Sequence, residues 1–310
     1  MGRTSGQATA AALLAALLLV GCSSAPKPKQ EINSVKNEAA QYTTAGNAYF
    51  DQGNYSEAQK FFDLALQDNL SIYNEPGMAG SYNSLGKVYL TVGDLDAAEA
   101  DFRNAFDVAT RLNDLELLIE TESNFGELQL ARGRYSEALA TFKDAVAKAA
   151  NPQSLLAARL SHNIGAAYKE LGDYASALEF LKKALDLHLA LAAAGEQASD
   201  YYMIASVYSK QGDFKQATDY ANLALSSDQK MENKPGIASD LFALGLIAER
   251  SGDLKTAYTR YVASFEVYKS IGLVANVKEL LGKLAQVAAD LGRLNEAASY
   301  RQALKGLGGG

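Results

Sequence analysis

Between residues 31 and 305 the apolar positions fall in pairs of short blocks, each with the three- and four-residue spacing of one helix face. The block around Leu85 shows the arrangement: Leu85-Gly86-Lys87-Val88-Tyr89, then Gly93-Asp94-Leu95, then Ala98, Phe102 and Ala105. This predicts two amphipathic helices joined by a tight glycine turn. The succession recurs down the chain, led by Gly46, Gly86, Gly126, Gly165, Ala205, Gly245 and Ala285, at intervals of 40, 40, 39, 40, 40 and 40 residues. Seven copies at so constant an interval predict an all-α array of seven helix–turn–helix repeats.

Each recurring position has a physical task. Gly53, Gly93, Gly133, Gly172, Gly212, Gly252 and Gly292 stand where the first helix must end in the left-handed conformation. Asn54, Asp94, Asp173, Asp213 and Asp253 follow, placed to cap the second helix. Ala58, Ala98, Ala138, Ala177, Ala217, Ala257 and Ala297 let two helices approach closely. Large partners face them: Tyr49, Tyr89, Tyr168 and Tyr208 on first helices, and Phe62, Phe102, Phe142, Leu181 and Tyr261 on second helices. Burying each of these is worth about 1.5–3 kcal/mol, so stacked neighbours build a continuous core that one repeat cannot.

The motif Leu85-Gly86…Tyr89…Ala98…Phe102 resembles the tetratricopeptide repeat, a helix–turn–helix that stacks into a right-handed superhelix, or α-solenoid. The usual unit is about 34 residues. The surplus of roughly six lies between the last small position and the next repeat, which predicts helices longer by up to a turn. Arg301 in the aromatic slot of the last repeat reads as a polar terminal cap, and residues 306–310 as a flexible tail.

Ahead of the array, Arg3 is the only charge in residues 1–21, and Ala10 to Val20 form an apolar run too short to span a membrane. Leu19-Val20-Gly21-Cys22 resembles a bacterial lipobox. That resemblance implies a cleaved lipoprotein signal peptide over 1–21, with diacylglyceryl and fatty-acyl (palmitate) attachment at Cys22. Residues 22–30 read as a tether of about 25 Å at most. Ser23, rather than Asp, after Cys22 implies the outer membrane, facing the periplasm. The lone Cys leaves no other thiol for disulfides or metal. The net charge of −7 lacks the basic footprint of nucleic-acid binding.

In the family the resemblance implies, partners bind the concave face lined by the first helices. Counting three before the leading residue, then one, four and five after it, selects Thr43, Asn47, Phe50 and Asp51 in the first repeat. It then selects Asn83, Lys87 and Leu90, followed by Ser123, Glu127 and Leu130. The later repeats contribute His162, Lys169 and Glu170; Tyr202, Ser206, Ser209 and Lys210; and Phe242, Leu246, Glu249 and Arg250. Two arrangements suit the apolar members of this set: exposed anchors for a partner segment, or side chains covered by the long helices of neighbouring repeats. The lysine at the Thr43 position that a chaperone-tail clamp needs is missing.

No nucleophile motif, phosphate-cradling loop or His/Asp/Glu cluster is apparent. His162 and His188, the only histidines, fall in different helices, and His188 reads as ordinary helix surface. The chain is therefore expected to be a non-enzymatic protein–protein scaffold with no cofactor, nucleic-acid or small-molecule ligand. Two roles stay open: an assembly factor for an envelope machine of secretin, pilus or export type, or an adaptor that gathers cell-wall-remodelling enzymes.

Overall fold

The structure is a computed structural model and describes residues 29–307. Its described residues form fourteen α-helices in seven antiparallel pairs. The pairs are α1 (Lys29–Asp51) with α2 (Tyr55–Ser71), α3 (Glu75–Val92) with α4 (Leu95–Leu112), and α5 (Leu115–Ala131) with α6 (Tyr135–Lys148). They continue as α7 (Leu155–Leu171) with α8 (Tyr174–Ala190), and α9 (Ala194–Gln211) with α10 (Phe214–Lys230). The last are α11 (Lys234–Ser251) with α12 (Leu254–Ser270), and α13 (Val274–Asp290) with α14 (Leu294–Gly306). The expected signal peptide, Cys22 and most of the expected tether lie outside the described residues. The array starts at Lys29, inside the expected tether, and helix α14 runs through Gly306, the first residue of the expected tail. No helix among the described residues is long and apolar enough to cross a membrane.

The turn chemistry is the one the repeat pattern demands. Gly93 caps α3 with φ of 86°, a conformation that would strain any side chain, and its amide bonds back to the last turn. Asp94 then accepts the amide of Ala97 at 3.2 Å, and Asn54, Asp173, Asp213 and Asp253 cap their helices in the same way. The leading glycine makes room for the large residue of the second helix: a Cβ on Gly46 would fall 2.5 Å from the ring of Phe62, and one on Gly245 would fall 2.5 Å from that of Tyr261. Tyr89, Tyr168 and Tyr208 each touch two successive core clusters, so they are the joints between repeats. Where Gln129 replaces the tyrosine, it accepts a hydrogen bond from Thr141 at 2.9 Å instead. In α14 only Ala297 is buried and Arg301 is exposed, as a terminal cap requires.

A second left-handed residue stands at five of the six junctions between repeats, and four of these are not glycine: Tyr73, Asn113, Ala192 and Glu232. Ala192 sits at φ of 54° with no polar side chain to compensate. Ala192→Gly should therefore raise stability by about 0.5–1 kcal/mol in chemical denaturation.

First helices touch first helices along the array (α3 with α5, α5 with α7, α7 with α9, α9 with α11), and among the described residues no comparable contact joins second helices. The first helices consequently line the inner, concave side. The superhelix winds far enough for its start to meet its later repeats. Gly53, in the turn of the first pair, is buried, and a Cβ there would lie 3.0 Å from Pro235 and 3.8 Å from Ile271 and Leu273.

Candidate functional site

The concave side is a ladder of cross-repeat hydrogen bonds. Asn83, only 3% exposed, donates to Thr121 at 3.2 Å and accepts from Asn124 at 3.0 Å. Asn163 donates to Glu127 at 2.8 Å and to buried Ser123 at 3.4 Å. Lys87 pairs with Glu120 at 3.4 Å. Glu170 joins Lys169 at 3.0 Å and Lys210 at 3.1 Å. Glu249 pairs with Lys283 at 3.0 Å and accepts the Tyr261 hydroxyl. The first-helix positions selected from the sequence therefore do come together on one face, but many are occupied with each other.

The apolar positions are half-buried. Phe50 packs edge-on against Tyr55 at 5.3 Å and Phe242 against Tyr261 at 5.5 Å. Leu90, Leu130 and Leu246 rest on the core clusters. Neighbouring elements thus take a large share of these surfaces. Tyr202 and Ser206 are half-buried, and Asn47, Lys210 and Arg250 stand exposed.

His188 is not on the surface. It is 1% exposed, and its Nδ1 lies 2.6 Å from Asp200 Oδ2. His162 Nδ1 lies 2.6 Å from the other oxygen, Asp200 Oδ1. One fully buried carboxylate from α9 thereby joins α7 and α8. The two histidines, separate in sequence, share a partner that the repeat register had not singled out. A readable signal existed: in six of the seven repeats the second helix continues past its last small position to a buried or half-buried contact with the next first helix. Asn69, His188, Asp228 and Tyr268 occupy that place. Asn69 meets Ser81 at 3.3 Å, and His188 meets Asp200. Among the described residues no group of three His, Cys, Asp or Glu could hold a metal ion.

One repeat further on, Asp228 of α10 faces Asp240 of α11. Gly77 and Gly236 fall in the first turns of α3 and α11 behind Pro76 and Pro235. A Cβ on Gly236 would collide with the Asp228 carboxylate, so the glycine clears space for it. Asn233 donates to Asp228 at 3.0 Å, and the protonated Asp240 carboxyl shares a hydrogen bond with that of Asp228. Burial, and then the neighbouring Asp228 carboxyl, push Asp240 up to about 8, and burial pushes Asp228 up as well. Because the folded state holds Asp240 above its unfolded value, folding favours the protonated acid, and this stabilisation is lost as pH rises from about 4 to about 8. Asp240→Asn should accordingly raise the thermal midpoint by several degrees above pH 8 and leave it unchanged near pH 4, read from melting curves across that window.

Asp228 and Asp240 line a cavity of about 300 Å³ together with Ser199, Tyr202 and Ser239. A larger cavity of about 800 Å³ adjoins it, walled by Phe50, Asp51 and Tyr55 of the first repeat, Glu196 of α9 and Met231 and Glu232 at the end of α10. Its walls come from the first repeat and from the fifth and sixth. Burial, and then Glu196, raise the Asp51 carboxyl, and burial raises Tyr202 to about 12.

A tetratricopeptide repeat model matches residues 77–151 and 156–230, and a second tetratricopeptide repeat model matches 43–108. No curated protein matches the chain. Among solved structures, a Rap protein complexed with Competence and Sporulation Factor aligns at 18% identity and TM-score 0.69, over 90% of this chain and 78% of that one. A Rap conjugation gene regulator of the plasmid pLS20, in complex with the Phr* peptide, aligns at 18% identity and TM-score 0.68, over 91% and 79%. Aspartyl phosphate phosphatase F from Bacillus subtilis aligns at 18% identity and TM-score 0.62, over 91% and 73%. At these identities the likeness is one of fold.

Proposed function

The chain belongs to the tetratricopeptide repeat family, and on that premise we propose that it is a protein-interaction scaffold which receives a peptide or an extended segment of a partner on its concave face. The observation that carries this reading is the open cavity of about 800 Å³ where the first repeat returns to the fifth and sixth. It is lined by residues of the first helices α1, α9 and α11 together with Tyr55, Met231 and Glu232, and is large enough for several residues of a bound segment. Two neighbours of similar fold are complexes with Competence and Sporulation Factor and with the Phr* peptide, which supports a peptide-sized occupant.

The motif Leu19-Val20-Gly21-Cys22 extends the proposal to a lipoprotein held at a bacterial envelope through acylated Cys22. Attachment there would set the scaffold beside membrane-bound machinery, the assembly-factor role. The cell-wall adaptor is the second reading, with several soluble partners in place of one membrane partner.

Photo-crosslinking in envelopes tests the scaffold. A photoreactive residue at Asn47, Ser206 or Arg250, on first helices, should trap a partner. The same residue at the exposed second-helix positions Arg103 or Lys182 should not. Equal trapping from both faces would overturn the concave site. Crosslinking with a Cys22→Ala form retargeted to the periplasm separates the roles: loss of a single membrane partner supports the assembly factor, and retention of several soluble enzymes supports the adaptor.

A further inference from the structure

We propose that the end of the superhelix nearest Cys22 rests on the lipid surface, with Leu70, Tyr73 and Leu115 entering the boundary between headgroups and acyl chains. The proposal rests on the reading that Cys22 is acylated, and it gives the anchored chain its orientation.

The fold defines that end. The helices of each pair run antiparallel, so every first helix starts, and every second helix ends, on one edge of the array. That edge holds the start of α1 at Lys29 and the junctions between repeats, and the glycine turns lie on the other. Gly53, on the turn edge of the first repeat, meets Pro235, Ile271 and Leu273 at the junctions after repeats five and six. The later repeats therefore lie beyond the turn edge of the first. The start of α1, with the first two junctions, is left as the free end of the superhelix.

Seven residue steps run from Cys22 to Lys29, at most about 25 Å of extended chain. A lipid on Cys22 thus holds the free end close to the membrane. The turn edge of the second repeat stands about 27 Å further off, along the 18 residues of α3.

The side chains on the free end suit an interface. Leu70, at the end of α2, is 43% exposed, Leu115, at the start of α5, is 51% exposed, and Tyr73 is 88% exposed. Tyr73 also stands at φ of 52°, where the junction after repeat six places Gly272 at 75°. The turn itself needs no side chain there, and a bulky one is held at a conformational cost. Tyrosine and leucine together make an interfacial anchor, the ring at headgroup level and the aliphatic groups below it. On the same edge Glu75 is paired with Arg111 at 3.3 Å. The attraction is apolar, so it needs no anionic lipid and is not screened by salt.

The chain contains no tryptophan, so one substitution installs a single fluorescent reporter. Tyr73→Trp, Leu115→Trp and Val92→Trp proteins are purified from envelopes and reconstituted into dioleoylphosphatidylcholine vesicles with and without the dibrominated lipid. Val92, also exposed but on the turn edge, is the matched control. Brominated lipid should quench Tyr73→Trp and Leu115→Trp at least about threefold more strongly than Val92→Trp, because only the first two reporters enter the acyl boundary. Adding Leu70→Ser and Tyr73→Ser to Leu115→Trp should remove most of its quenching, and about 1 M salt should leave the quenching of Leu115→Trp alone unchanged. Circular dichroism checks that every variant stays folded. Equal quenching at both edges, no quenching, quenching that survives the paired serines, or quenching abolished by salt would each overturn the docking. Shielding of the Tyr73→Trp reporter from aqueous iodide without quenching by brominated lipid would assign the surface to contact between copies of the chain and overturn it too. The mass of the amino-terminal peptide separates the readings. Acylated Cys22 with failed quenching overturns the docking alone, and unacylated Cys22 overturns the anchor and the docking together.

Discussion

Phe102→Ala should destabilise the array by about 3–5 kcal/mol in denaturant unfolding. Phe102 is fully buried, and its ring occupies the space a Cβ on Gly86 would take, so the first helix has no side chain with which to refill the hole. The ring also meets Phe125 of the following repeat at 6.0 Å and 66°, and Leu128 belongs to the same cluster. The substitution thus weakens both the second repeat and its interface with the third. In an array whose stability is a sum of units and nearest-neighbour contacts, that should broaden the transition as well as shift it. A loss below about 1 kcal/mol would mean that the neighbouring helices collapse onto the site, and would contradict the rigid packing of Gly86 against the ring.

Asp200→Ala should cost roughly 3–5 kcal/mol by the same measurement, for a polar reason. It removes the one acceptor shared by His162 and His188, each at 2.6 Å. His188 would then be enclosed with both ring nitrogens unpartnered, since its Nε2 has no partner already. Replacing both, as Asp200→Leu with His188→Leu, should recover most of the loss, because an apolar pair of similar volume needs no hydrogen bond. Asp213→Ala is the control: it removes an exposed cap that accepts from Gln216 at 3.1 Å and should cost only about 1 kcal/mol. Equal losses at Asp200 and Asp213 would deny the buried bridge its role.

Legibility in the sequence followed the range of the interaction. The unit, its seven copies, the left-handed glycine turns, the aspartate caps and the contact of Gly86 with Phe102 could all be read, because each is fixed within about twenty residues and repeats with the same geometry. The concave face could be read as a face. Its occupation could not: Asn83 looks as free as Asn47 in sequence, yet it is held by Thr121 and Asn124 of the next repeat. His188 was misplaced for a related reason. Its partner Asp200 lies twelve residues on, across an inter-repeat turn, and the second carboxylate bond runs to His162 thirty-eight residues back.

What the sequence determined by itself was therefore the repeating unit and the order of stacking, since helix periodicity, capping and large-against-small packing are local and recur from repeat to repeat. Only the tertiary structure decided that Gly53 would meet Pro235, and that Asp51 and Glu196 would line one cavity. That closure is the sum of small rotations between successive repeats. No single interface records the total, so residues nearly two hundred positions apart are brought together by an angle that no local pattern spells out.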